Sequence, residues 1–235
     1  MPIARRSLLA LGAAGASTLL LDACGSDKKK SHDKTTPAPA PPPAHGGAMP
    51  NTVMIIRHGE KPTGSGAPYG VTEAGEKDGK SLTVVGWNRA GGLAALFDPR
   101  AADGSPAELR PHLFRPATIF GSSPNGDGSK RPLETITPLA AALGLTPNQQ
   151  YTKGQEAELV AGLAGAAGPV LISWQHEKIG AILAQLGPAD PTPPANWPDN
   201  RFDMVFVLTR NSPGDRWTFT QVPQLLLAGD LPTPI

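Results

Sequence analysis

The chain of 235 residues contains one cysteine, Cys24, so no disulfide can form within it and its fold must rest on packing. It also lacks a basic excess. Lys and Arg number 21 against 20 Asp and Glu; six and three of these precede residue 51, which leaves 15 against 17 and a formal charge of −2 for the remainder. That balance excludes the basic face of a nucleic-acid binder and leaves any affinity for anions to a local site. The uncharged stretch Ser7 to Leu21 spans fifteen residues rich in Ala and Gly, short of the roughly 20 apolar residues of a membrane-spanning helix. No cluster of His, Cys, Asp and Glu shows metal-ligand spacing after residue 50, so no metal and no cofactor are expected. There is no internal repeat.

The first fifty residues differ from the rest. Arg5-Arg6 ahead of the short apolar stretch reads as a twin-arginine export signal, and Leu21-Asp22-Ala23-Cys24 reads as a lipoprotein-type cleavage box with Cys24 as lipid acceptor. Asp22 departs from the small or apolar residue usual there, which leaves ordinary cleavage nearby as the alternative. Lys28-Lys29-Lys30 and Pro41-Pro42-Pro43 lie in a segment that cannot build a core and favours an extended, solvated spacer. The expected organisation is an export signal over 1–23, a tether over 24–50 and one domain over 51–235. Such a chain is expected to be exported to the periplasm or cell envelope and held at a membrane if Cys24 is acylated.

Within the domain, strand and helix patterns alternate. Val53-Met54-Ile55-Ile56 reads as a short buried strand, Lys61 to Ser81 as a polar, Gly-rich loop, and Leu82 to Phe97 as a helix opened at Leu82-Thr83. A second strand is expected at Ala117 to Gly121, then a helix over Arg131 to Leu143 with Pro132 in its first turn and Gly144 as its stop. Further expectations are a helix over Glu156 to Ala166, a strand over Pro169 to Trp174, and a helix over Glu177 to Leu186. Arg201 to Thr209 and Arg216 to Val222, separated by Asn211-Ser212-Pro213-Gly214-Asp215, read as a hairpin. The fold class implied is a three-layer α/β/α sandwich, with a mostly parallel central sheet, helices on both faces and a C-terminal hairpin at one end.

Carboxyl strand ends are where such sheets collect functional loops. The first strand delivers Arg57-His58-Gly59-Glu60, the second leads through Ser122-Ser123 towards Arg131, and the third delivers Gln175-His176-Glu177. A guanidinium offers a flat fork of donors that matches phosphate oxygens, and a neutral imidazole can attack phosphorus near neutral pH. Arg131 at a helix start is disfavoured by the macrodipole, and binding an anion would give it a reason to be there. Glu60 and Glu177 are the two carboxyls placed to supply a proton.

Arg57-His58-Gly59, Leu82-Thr83 with Gly86 and Arg89-Ala90, Arg131-Pro132-Leu133-Glu134-Thr135 and His176 together resemble the histidine phosphatase superfamily, which includes phosphoglycerate mutase-like enzymes and histidine acid phosphatases. The resemblance spans roughly residues 52 to 186. It implies a metal-independent phosphatase acting on a small or exposed phosphate ester. In that reading His58 becomes the phosphohistidine, Arg57, Arg131 and His176 hold the phosphoryl oxygens together with Gly59 and Glu60, and Glu177 donates a proton. The alternatives are a mutase using the same residues and a non-catalytic phosphate- or envelope-binding lipoprotein. The lengthened loop Pro124 to Ser129 departs from the family pattern, as does Trp174-Gln175, which is expected to narrow the site or cover the sheet edge.

Overall fold

A computed structural model describes residues 47–126 and 128–235, all within the unit Pro41–Ile235. The export signal, Cys24 and most of the tether lie outside the described residues. Strand β1 (Thr52–Arg57) alternates its side chains between two cores: Val53 and Ile55 enter one, Met54 and Ile56 the other. Both faces are therefore covered, as a near-continuous apolar run requires. Helices α1 (Val84–Phe97) and α2 (Arg131–Leu143) close the face of Met54 and Ile56 with Leu93, Phe97, Ile136 and Leu139. Helices α3 (Glu156–Ala161) and α4 (His176–Leu186) close the other with Leu159, Val160, Ile179 and Ile182. The three-layer α/β/α architecture is thus the one expected.

The remaining strands are β2 (Thr118–Gly121), β3 (Val170–Trp174), β4 (Ala189–Asp190), β5 (Met204–Thr209) and β6 (Trp217–Pro223), and the sheet order is β2-β3-β1-β5-β6-β4. Strands β1, β2 and β3 run parallel, β5 is antiparallel to β1 and β6, and β4 pairs parallel with β6. The hairpin β5–β6 forms as expected, but β4 sits outside it at the sheet edge. Because β5 runs against β1, with Val205 opposite Ile56, the segment entering β5 meets the loops that leave β1, β2 and β3. One end of the sheet therefore collects four chain segments.

Several boundaries differ from the sequence expectation for physical reasons. Ala48 to Pro50 belong to the domain: the Ala48 carbonyl accepts from Gly165 N at 3.1 Å, Met49 packs on the core and Pro50 is buried. Helix α1 starts at Val84 because Thr83 caps it, its hydroxyl accepting from Gly86 N at 3.2 Å. Helix α3 ends at Ala161, where turns take over towards Gly165, whose φ of 83° a helix does not permit. Arg201 to Asp203 do not join β5, because their backbone and side chains tie the loop ahead of it: the Arg201 carbonyl accepts from Trp197 Nε1 at 2.7 Å, and its Nε donates to Asp203 at 2.7 Å. Trp174 neither narrows the site nor covers an edge. Strand β3 lies inside the sheet, and the indole is buried in the α3–α4 core with its Nε1 donating to Glu156 at 3.0 Å.

The loop after β1 is pressed against α1. A Cβ placed on Gly86 would stand 2.6 Å from the Glu60 carbonyl oxygen and 2.9 Å from its nitrogen, both backbone atoms. Ala normally stabilises a helix interior by up to about 1 kcal/mol relative to Gly. Here the sign reverses, and Gly86→Ala is expected to destabilise the fold by about 1–3 kcal/mol through overpacking, read as a lower urea midpoint. A midpoint at or above wild type would show that α1 and the loop are not in this contact.

Candidate active site

Arg57 closes β1 and is fully buried. Its Nη1 donates to three carbonyls of the segment entering β5: Pro198 at 3.0 Å, Asp199 at 2.8 Å and Arg201 at 2.9 Å. The ring of Phe202 lies 3.8 Å from the guanidinium carbon, a cation–π contact that fixes the plane of the group. Among the described residues, Nε and Nη2 are buried and have no hydrogen-bond partner. Leaving a buried donor unmade costs about 1–3 kcal/mol. The two donors lie along one edge of the guanidinium, the fork that matches two oxygens of a carboxylate or phosphate. Burial, with the charge of Arg131 added, lowers the Arg57 pKa to about 10, so it stays a cation at neutral pH.

His58 follows, 2% exposed. Its backbone N–H continues the β1–β3 ladder to the Trp174 carbonyl at 3.1 Å, which sets the ring's position. Nδ1 lies 2.7 Å from the Gly59 carbonyl, an oxygen that can only accept, so the proton sits on Nδ1 and the lone pair on Nε2. Burial first, then the charges of Arg57, Arg131 and Lys61, hold its pKa down at about 3 against the pull of that bond. The imidazole is therefore neutral across the physiological range, the form a nucleophile needs.

Gly59 joins this loop to α2: its N–H donates to Thr135 Oγ1 at 2.8 Å, and the same hydroxyl donates to the Arg131 carbonyl at 2.7 Å. Arg131, the first residue of α2, donates from Nη1 to the Gly79 carbonyl at 3.2 Å, and its charge acts on both His58 and Arg57. His176 opens α4, with Asp199 Oδ1 against Nε2 and Glu177 Oε2 3.0 Å from Nδ1. Burial and the Arg57 charge hold its pKa below the ordinary imidazole value, outweighing the two carboxylates. Arg57, His58, Gly59, Arg131, His176 and Glu177 are thus gathered at one end of the sheet.

The two carboxyls singled out as proton donors differ. Glu60 receives three hydrogen bonds from Arg89, which also pairs with Asp230 at 2.7 Å and donates to Gln224 at 3.0 Å. That network holds the loop after β1 onto α1 and commits Glu60 to a structural partner. Glu177 is more open, and although its partial burial favours the neutral form, the 2.6 Å contact with Lys153 Nζ prevails and lowers its pKa to about 2. It rests ionised beside His176.

The sequence pattern did not single out the segment Pro198 to Asp203, which supplies the carbonyl clamp, the Phe202 ring and the Asp199 carboxylate. Its signal was the run Asp199-Asn200-Arg201-Phe202-Asp203, two aspartates, an arginine and an aromatic, directly before an antiparallel strand next to β1. Arg89 is legible in the sequence only through the first-helix part of the family resemblance, which does not reveal its pairing with Glu60 and Asp230.

No family model matches the chain, and no curated protein matches its sequence. Among solved structures, a protein called mycobacterial hydrolase 2 is similar at 16% identity and a TM-score of 0.40, covering 73% of this chain and 88% of its own. The protein assigned as the phosphohistidine phosphatase SixA of Agrobacterium tumefaciens is similar at 17% identity and a TM-score of 0.38, over 72% of this chain and 96% of its own.

The His58 environment makes a prediction about acid stability. Above pH 6.5 the ring is neutral in folded and unfolded chains alike; as pH falls, the unfolded chain takes up a proton that the folded ring refuses until about pH 3. Stability is therefore lost on acidification in that window, by up to about 1.4 kcal/mol per pH unit from this group. Urea midpoints measured from about pH 7 down to about pH 4 should fall less steeply in His58→Gln than in wild type. Equal slopes would show that His58 titrates normally.

Proposed function

We propose that the protein is a metal-independent phosphatase that hydrolyses a phosphomonoester through a phosphohistidine at His58. The observation that carries this reading is the pairing of a neutral, oriented imidazole with a buried guanidinium whose Nε–Nη2 edge has no partner. Phosphoryl transfer asks for in-line positioning and for donors on the equatorial oxygens; Arg57 and Arg131 supply charged donors and His176 a neutral one. In the first step His58 Nε2 bonds to phosphorus as the ester P–O bond breaks, and the departing oxygen takes a proton. In the second, water attacks the phosphohistidine, the P–N bond breaks, and the water's proton is taken up by the group that gave the first.

Glu177 is the carboxyl assigned to that exchange. It adjoins His176, is ionised at rest, and takes from solvent the proton it donates as a phosphoryl dianion at Arg57 raises its proton affinity against the pull of Lys153. Asp199 plays a different part. Its carboxylate rests on His176 Nε2 while its side chain is 88% exposed, so an incoming anion displaces it at little cost. The leader motifs support an exported, lipid-anchored enzyme whose substrate is a small or exposed phosphate ester.

Replacing His58 by Ala should lower phosphate release from an aryl phosphate by about a thousandfold or more, and wild type quenched during turnover should carry the mass of one phosphoryl group on His58. Normal turnover in the variant would overturn the mechanism. Asp199→Ala removes a carboxylate that competes with the substrate anion, so KM should fall by about threefold to tenfold, as unopposed like charge predicts. A raised KM with unchanged kcat would show instead that Asp199 helps to bind substrate.

A further inference from the structure

Beside the proposed anion site lies an open cavity of about 420 Å³ with a mainly apolar surface, whose lining includes Thr63, Pro68, Val85 and Phe202. The Phe202 ring belongs to both sites: it stacks on the Arg57 guanidinium at 3.8 Å and stands 6.2 Å from the His58 ring. Asp199 borders both as well. We propose that this cavity receives the alcohol part of the phosphomonoester and that the alcohol is apolar, aryl or alkyl. The proposal rests on the reading of the neighbouring site as a phosphoryl site.

Three observations point this way. The cavity shares Phe202 with Arg57 and Asp199 with His176, so a group attached to a phosphoryl held by those residues has this cavity beside it. The charged groups at its border are Glu60, Asp199 and Lys61, two carboxylates to one ammonium, which disfavours a second phosphate or a carboxylate on the substrate. Finally, the first turn of α1 bears Val84 and Val85, 60% and 47% exposed, and no acidic residue. An aspartate there would favour the helix through its dipole, whereas exposed β-branched side chains contribute nothing to the isolated helix. Apolar ligand contact gives Val85 a use that the fold does not.

Leaving-group reactivity has to be held constant for a fair test, so the comparison is hexyl phosphate against ethyl phosphate, two primary alkyl esters that differ in apolar area. Wild type should favour hexyl phosphate in kcat/KM by about tenfold or more, and in Val85→Asp the ratio should fall towards one. The exposed site and the helix dipole make that variant safe for folding. Equal kcat/KM for the two esters in wild type, or an undiminished preference in Val85→Asp, would overturn the assignment. 1-Naphthol, which lacks phosphate, reads the cavity by its fluorescence without any turnover: saturable binding lost in Val85→Asp supports the proposal, and binding that is absent or indifferent to the variant contradicts it. Failure to release phosphate from any ester would count against the phosphatase reading, while the naphthol arm would still decide the cavity.

Discussion

One buried guanidinium organises this end of the molecule. Arg57 has no solvent to share its charge with, so the protein fastens it by Nη1 to three carbonyls and by its face to Phe202. Those four contacts leave the Nε–Nη2 edge without a hydrogen-bond partner among the described residues. A buried cation kept half-satisfied is a cost to stability that a packed core has no use for, and an oxyanion with two oxygens in the guanidinium plane would offset it. His58, the adjoining residue, is then forced to stay neutral by the same burial and by that positive charge. A neutral imidazole and an open guanidinium edge are thus two consequences of ending one strand with Arg-His in a dry place.

The topology makes the arrangement possible. Parallel strands β1, β2 and β3 deliver their loops to a common end, but parallel neighbours alone could not surround Arg57, because nothing would return over it. Antiparallel β5 solves this: the chain entering it passes beside the end of β1 and presents backbone carbonyls to the guanidinium. On the other side, Thr135 bridges the Gly59 N–H and the Arg131 carbonyl, so α2 cannot shift without moving the loop that carries His58. Arg89, held between Glu60 and Asp230, anchors that loop from α1.

Sequence reading reached the layers, the strand ends and the gathered residues because each leaves a local mark: a β-branched run for β1, Pro132 and Gly144 around α2, an Arg-His pair where a strand stops. Partnerships across long separations leave none. Arg57 meets residues more than 140 positions away, and no periodicity announces that the Pro198 to Arg201 carbonyls face a guanidinium. Glu60 is legible as a candidate proton donor, but not its hold on Arg89, which it shares with Asp230, and Trp174 reads as a rim residue although the position of β3 inside the sheet buries it. Glu177 was recognisable as a carboxylate next to His176, but its pairing with Lys153, which keeps it ionised at rest, depends on how the turn before α3 folds back.

The central claim is that the free edge of Arg57 and the Nε2 of His58 meet on one tetrahedral anion. A crystal structure of the protein soaked with orthovanadate tests it directly. The account predicts vanadium in line with His58 Nε2, two of its oxygens on Arg57 Nε and Nη2, and Arg131 and His176 around the rest. Vanadate seated elsewhere, or an Arg57 edge still unengaged at saturating vanadate, would contradict it.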